Sequence, residues 1–320
     1  MENRRALITG ILGQDGSFLA ELLSKKGYQV FGIVKGSSTI ERAEWLKSLI
    51  PDVTLYTRDK LGKSFLEYTI DTVRPHEIYN LAGYSNVLNP WDDLDEIFNL
   101  NAKLPQDILE CIVKVDKSIK FIQASSCLVF GKDDSGFQNE KTPSSPIHPY
   151  GVSKLYADNI IKAFRETFGL FACSAIFFSH ESERRPDIFL SRKITSTVAR
   201  IKNGSEEKIK IGNTLSFRDY GYAPDFMEAM YLMAQNKTPE NYVIGTGRVI
   251  AISDFVKKCF DYVGMESEKY IEVDDNLKRK NDTNVLRADI TKIKHELGWY
   301  PKHSIDDIIS KMIDHDLKTQ

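Results

Sequence analysis

One short stretch, from Arg5 to Val34, leaves the chain little choice of architecture. Arg5-Ala-Leu-Ile-Thr9 reads as a buried strand, and Gly10-Ile-Leu-Gly13-Gln-Asp-Gly16 follows at once. Ser17 to Lys26 then carries Phe18, Leu19, Leu22 and Leu23 at helical spacing and is closed by Gly27. Tyr28 to Val34 is a second strand. Strand, glycine turn, helix, strand is a βαβ unit, which belongs in a parallel sheet. Glycines at its first turn let a pyrophosphate approach the helix N-terminus, so the unit predicts dinucleotide binding.

The alternation continues. Val53 to Tyr56 reads as a third strand, Glu77-Ile-Tyr-Asn-Leu-Ala82-Gly83 as a fourth, and Ser118 to Ala124 as a fifth. The pattern implies an α/β chain with a doubly wound parallel sheet. The second strand ends at Val34-Lys35-Gly36-Ser37-Ser38, where no carboxylate stands to hold a ribose 2′-hydroxyl. A lysine and hydroxyls there favour a 2′-phosphate, hence NADP, and leave NAD open. Asp59, just beyond the third strand, is placed to meet the adenine, and Leu81 and Ala82 end the fourth where cofactor backbone would pass.

The chemistry is expected further on. Gln123-Ala-Ser-Ser126-Cys-Leu-Val-Phe-Gly131 follows the fifth strand, and Pro149-Tyr150-Gly-Val-Ser-Lys154 opens a helix patterned by Leu155, Ala157, Ile160, Ile161 and Phe164. Tyr150 and Lys154 are one turn apart and share a face. An isolated phenol, with a pKa of about 10, is a poor base near neutrality. A neighbouring ammonium favours the phenolate and tunes it toward taking a proton from an alcohol. A Ser126 hydroxyl can hold the same substrate oxygen.

Composition narrows the setting. The net charge is −2 with both signs interspersed, so no nucleic-acid footprint appears. Cys111, Cys127, Cys173 and Cys259 lack metal-ligand spacing, which suits a reduced cytoplasm and predicts no metal. The apolar run after Met1-Glu-Asn-Arg-Arg-Ala6 is too short for a signal peptide, and no run is long enough for a bilayer. A cytoplasmic protein without a membrane partner is expected.

Taken together, Gly10, Gly13, Gly16, Ser126, Tyr150 and Lys154 resemble the extended short-chain dehydrogenase/reductase superfamily. Within it, the chain is most similar to the GDP-mannose 4,6-dehydratase family. The resemblance rests on Ile8-Thr-Gly-Ile-Leu-Gly-Gln-Asp-Gly-Ser17, Ser179-His-Glu-Ser-Glu-Arg-Arg185, Arg192-Lys193 and Arg218-Asp-Tyr-Gly221, with Thr246-Gly247 and Leu297-Gly-Trp299. It implies a Rossmann-type sheet with a smaller mixed α/β cap. Residues 1–178, with about 220–247, would bind the dinucleotide; 179–219 and 248–320 would bind the nucleotide sugar. It also implies cofactor contacts from Thr9, Gly10, Gly13, Gln14, Asp15 and Gly16, from Lys35, Asp59, Leu81, Ala82 and Ser85, and from Tyr150, Lys154 and His180. Ser179, Glu181, Arg185, Lys193, Arg218 and Arg279 match positions lining the substrate site, where arginines can fork onto a diphosphate. A homotetramer or homodimer is the family's usual assembly, and apolar faces around Tyr150 and over Leu100–Ile112 suit it.

Departures from the family pattern bear on the reaction. Leu128 stands where the dehydratases carry a glutamate, Ser179 where they carry an asparagine, and Lys35 and Gly36 where they carry arginines. Cys127 has a placement that resembles the acid–base cysteine of GDP-fucose synthase. The reading that follows is an NAD(P)-dependent 4-dehydrogenase or 4-keto reductase of a GDP-linked hexose or heptose. The alternatives are 4,6-dehydration, C3 or C5 epimerisation through Cys127, and a cofactor-binding sensor without catalysis. For dehydration, His148 or Glu181 would have to replace the glutamate. Cys127 is expected to point away from Leu128, because neighbours on a strand face opposite sides.

Overall fold

Successive apolar pairs such as Leu7 and Ile8 point to opposite faces of a strand, so a sheet built from them must be covered on both sides. The computed structural model, which describes residues 4–36, 40–58, 62–85, 91–132, 136–274 and 285–319, has that form. In chain order its elements begin β1 (Arg5–Thr9), α1 (Gln14–Lys25), β2 (Gln29–Lys35), α2 (Ile40–Leu49), β3 (Thr54–Arg58), α3 (Lys63–Val73) and β4 (Glu77–Asn80). Next come α4 (Leu94–Phe98), α5 (Leu104–Val115), β5 (Lys120–Ser126), α6 (Pro149–Phe168), β6 (Ala172–Phe177) and β7 (Ser179–Glu181). They continue with α7 (Leu190–Lys202), β8 (Ile209–Ile211), β9 (Phe217–Tyr222), α8 (Ala223–Gln235), β10 (Tyr242–Ile244) and β11 (Val249–Ala251). The last are α9 (Ile252–Tyr262), β12 (Ile271–Val273), α10 (Thr291–Leu297) and α11 (Ile305–Thr319).

The large sheet has seven parallel strands in the order β10-β6-β5-β4-β1-β2-β3. The order reverses between β1 and β4, and at such a switch point a ligand crevice opens at the carboxyl ends of the strands. Ile8, Ile122, Phe226 and Trp299 pack one face with α1, α8 and α10. Leu7, Ile78, Phe121, Ile112 and Ile161 pack the other with α3, α5 and α6. The α1 helix begins at Gln14, earlier than its apolar spacing predicts, because polar Gln14 and Asp15 already form its first turn.

Beyond β6 the chain builds two small sheets, β11-β9-β7 and β12-β8. A separate apolar core joins α7, α9 and α11 to β8 through Val198, Ile209, Phe255, Phe260 and Ile313. Two of the sequence motifs explain themselves here. Arg192 makes a buried ion pair with Asp316, tying α7 to α11. Asp219 accepts hydrogen bonds from the backbone N–H groups of Thr246 (2.8 Å), Gly247 (2.8 Å) and Ala288 (3.1 Å), so one buried carboxylate gathers three segments. No described helix is long and apolar enough to cross a membrane.

Candidate active site

A cleft of about 1290 Å³ opens at the carboxyl ends of β1, β4 and β5 and runs to β7, α7 and β9. Its floor is set by the glycine turn. A Cβ on Gly10 would come within 2.6 Å of the Ala82 backbone nitrogen, and one on Gly16 within 2.2 Å of the Gly10 carbonyl oxygen. Only hydrogen fits at either place, so the turn lies hard against the segment after β4 and α1 hard against the turn. The cleft's length and bare backbone floor, beside a helix N-terminus, fit a dinucleotide.

Most residues singled out from sequence line this cleft. From the glycine turn come Gly10, Gly13, Gln14, Asp15 and Gly16; from the next strands and loops come Lys35, Leu81, Ala82 and Ser85. Ser126, Tyr150 and Lys154 stand in its middle, with Ser179, His180, Glu181, Arg185, Lys193 and Arg218 along the far wall. Thr9 does not join them. It is buried and bonded to Asn80, whose amide donates to Gln123 Oε1 at 2.6 Å, a polar ladder across β1, β4 and β5. Asp59, Arg279, Ser37 and Ser38 lie outside the described residues.

The electrostatics at the centre differ from the expectation. Burial pushes the Tyr150 phenol up to about 12, and the neighbouring Ser126 hydroxyl is the main influence pulling it down. Lys154 is not turned to the phenol oxygen: its Nζ lies 5.7 Å from the ring centroid and donates to the Ala124 carbonyl at 2.8 Å. Burial lowers this lysine to about 8, against the attraction of Asp158 and Asp15. The ammonium is therefore spent on a backbone carbonyl, which is why it does little to the phenol.

Other expectations also change. Cys127 and Leu128 both line the cleft, because β5 ends at Ser126 and residues 127–129 form a tight 3₁₀ turn in which strand alternation no longer applies. Burial pushes the Cys127 thiol up to about 12, leaving it a neutral, weak base near neutrality. His148 caps α6: its Nδ1 accepts from the Gly151 N–H at 3.3 Å, a fixed structural duty. At the end of β2 a carboxylate does stand beside Lys35: Glu96, from α4, lies 3.3 Å from its Nζ. Glu181 is buried at the wall with its Oε2 3.4 Å from Arg185 Nε, too poorly aligned for a hydrogen bond.

Three features were missed. Asp158 continues the Tyr150–Lys154 stripe by one more turn, a signal present in the spacing; burial raises it to about 6, and Ser125 Oγ donates to it at 2.6 Å. Asn101, buried in a widened π turn (Asn99–Lys103), accepts from the Tyr84 N–H at 2.9 Å and donates back to its carbonyl at 3.0 Å, fixing the strand-four loop. Asp15 and His180 form a bonded pair at 3.0 Å, which no local pattern links. Among the described residues no group of three or more acidic, His or Cys side chains could hold a metal ion.

The comparisons with known proteins agree with this geometry. The family model for GDP-mannose 4,6 dehydratase matches residues 7–312. The human GDP-mannose 4,6 dehydratase is 38% identical, over 98% of this chain and 91% of its own. In fold the chain is similar to UDP-glucose 4-epimerase from Thermotoga maritima (TM-score 0.87, 24% identity, 98% of this chain and 99% of that one). It is also similar to dTDP-glucose 4,6-dehydratase from Bacillus anthracis, solved with NAD (TM-score 0.86, 20% identity, 98% and 97%). A Rossmann-type sheet, a glycine-floored cleft and a family match over nearly the whole length lead to one assignment: the chain is an enzyme of the GDP-mannose 4,6-dehydratase family, within the extended short-chain dehydrogenase/reductase superfamily.

Proposed function

We propose that the protein exchanges hydride between NAD(P) and C4 of a GDP-linked hexose or heptose, without loss of water. Leu128 carries this reading: it lines the cleft in the turn after Ser126, where the resemblance to the dehydratases implies a glutamate, and its side chain has no proton to give or take. Tyr150 takes the C4 hydroxyl proton during oxidation and returns it during reduction. Ser126, whose hydroxyl neighbours the phenol, holds the same oxygen. Lys154 holds the cofactor's ribose side of the cleft. Bound nicotinamide supplies the hydride acceptor or donor. Arg185, Lys193 and Arg218 face the cleft with charge suited to a diphosphate, and Ser179 and Glu181 with polar edges for the base or sugar.

A second reading is 4,6-dehydration. The family match and the human relative favour it over simple dehydrogenation or reduction. A specific feature also supports it: Glu181 Oε2 is buried at the cleft wall without a hydrogen-bond partner. Epimerisation through Cys127 is disfavoured by the raised thiol.

The test is incubation with GDP-mannose and with GDP-manno-heptose, following nicotinamide absorbance and product mass together. Oxidation removes two hydrogens and accumulates NAD(P)H. A 4-keto-6-deoxy product, lighter by one water with the cofactor spectrum unchanged, overturns the first reading in favour of the second. A homo-oligomer is also proposed: Phe98, Val152 and Tyr156 expose large apolar surface on α4 and α6, and a monomer mass in light scattering at micromolar protein would contradict it.

A further inference from the structure

Asp15 sits in the first turn of α1, beside the glycine turn, where free backbone N–H groups and the helix dipole favour an anion. A carboxylate at that end competes with a phosphate for the same positive potential and repels it. The structure holds a counter-charge in contact with it. His180 Nε2 lies 3.0 Å from Asp15 Oδ2, and its Nδ1 lies 2.8 Å from the Phe178 carbonyl oxygen. A carbonyl and an ionised carboxylate can only accept, so both ring nitrogens must donate, and the ring is an imidazolium.

The surroundings hold that arrangement in place. Gln14 Nε2 donates to Asp15 Oδ1 at 3.0 Å and to the His180 carbonyl at 3.2 Å, while Ser182 Oγ donates to Gln14 Oε1 at 2.8 Å. The ring is packed between Phe177 and Phe226, at 5.0 and 4.9 Å between centroids. Burial, the largest single influence, works against the imidazolium; the charge and hydrogen bond of Asp15, with the Phe178 carbonyl, together outweigh it, and the proton is held above the ordinary histidine range. The other charges facing the pair are Arg185, which acts on both partners, and Tyr150 and Lys154 of α6, which feel Asp15.

We propose that His180 is a positioning residue for the dinucleotide: its imidazolium neutralises Asp15, so that the α1 N-terminus can accept the cofactor's diphosphate. This rests on the nicotinamide-dinucleotide reading of the cleft. Loss of the ring proton removes the counter-charge in contact with Asp15, leaving only the Gln14 amide bonded to it, so cofactor affinity falls as pH rises through the His180 pKa. By reciprocity, bound cofactor raises that pKa.

Binding of NADH and of NADPH is measured by fluorescence from about pH 6 to about pH 9, the range spanning a raised imidazole pKa. The same series is run on His180→Gln and on Asp15→Asn/His180→Gln. The single variant should bind roughly tenfold more weakly, the scale of one lost charge-assisted contact. The double variant should recover most of that loss and keep only the fall with pH that Lys154, lowered to about 8, contributes, which a purely structural role for His180 would not produce. A double variant no better than the single one, together with a flat wild-type profile, overturns the proposal. Imidazole NMR of the unmutated protein gives an answer if a variant fails to fold: a His180 pKa at or below the ordinary value refutes the pairing. Failure of the wild type to bind either cofactor at any pH would instead overturn the dinucleotide reading itself.

Discussion

Tyr150, Lys154 and Asp158 lie along one face of α6, while Asp15 and His180 bridge α1 to β7; Tyr150, Lys154, Asp15 and His180 line one cleft, yet the charges of the two sets fare differently. Along α6 burial wins: the lysine is lowered to about 8, the aspartic acid raised to about 6 and the phenol raised to about 12. Across the α1–β7 gap contact wins: Asp15 is held at about 2 and His180 is raised. The difference lies in geometry. No ion pair joins the members of the first set, because Lys154 bonds to a carbonyl and Asp158 to a serine hydroxyl. The second set shares a direct hydrogen-bonded ionic contact. Desolvation disfavours an isolated charge, and a bonded opposite charge reverses that preference. Lys154 and Asp158 are thereby drawn toward neutrality and Tyr150 away from it, whereas Asp15 and His180 are held as an ion pair by their own contact.

The largest expected effect breaks the first set. Tyr150→Phe should lower turnover by roughly a hundredfold or more, the range of a positioned acid–base group, while NAD(P)H binding persists. Near-normal turnover of the Phe variant would remove Tyr150 from the chemistry. A smaller effect tests the second set through stability. Asp15's folded pKa lies below its unfolded value, so its contribution, about 2 kcal/mol, is present above about pH 4 and lost as pH falls toward about 2. Urea unfolding of the wild type should show that loss, and Asp15→Asn/His180→Gln should show much less of it.

Asp158→Asn sharpens the contrast from the other side. Asp158 raises the lysine, so its removal should move the Lys154 pKa further below about 8 and carry the alkaline limb of the pH–rate profile to lower pH. Turnover above that limb should fall by up to roughly tenfold where the limb moves by about one pH unit, and Asp158→Glu should restore the profile. An unmoved limb would mean that the carboxyl only packs. The exposed Lys35–Glu96 pair is the control. Solvent screens such a pair, so Lys35→Ala should weaken NADPH more than NADH only several-fold, by about 1 kcal/mol or less. Equal loss for both cofactors would show that Lys35 does not read a 2′-phosphate.

Much of this was legible in the chain, for reasons tied to period and chirality. The glycine turn, five strands of the large sheet and the Tyr150–Lys154 face follow from local spacing, and each is where that spacing predicts. What failed was non-local. Glu96 reaches Lys35 across sixty-one residues, and His180 reaches Asp15 across one hundred and sixty-five. Cys127 was misjudged for a local reason: the strand rule was carried one residue past the end of β5, into a turn with another period. The direction of Lys154's ammonium depended on a backbone carbonyl, which has no sequence signature.

The large sheet is closed on one side by β10, whose Tyr242, Val243 and Ile244 pair with Ala175, Ile176 and Phe177 of β6. That strand is made late. A nascent chain emerging from the ribosome presents the whole β6 edge, every residue of which is buried in the finished fold, long before its partner exists. An open parallel edge of this kind invites pairing with a neighbouring chain. Truncation anywhere before Tyr242 makes that exposure permanent, so the large sheet cannot be cut away as an independent piece by ending the chain after β6. Its last strand has to be brought back by the segment that carries β7, α7 and β9, the far wall of the cleft.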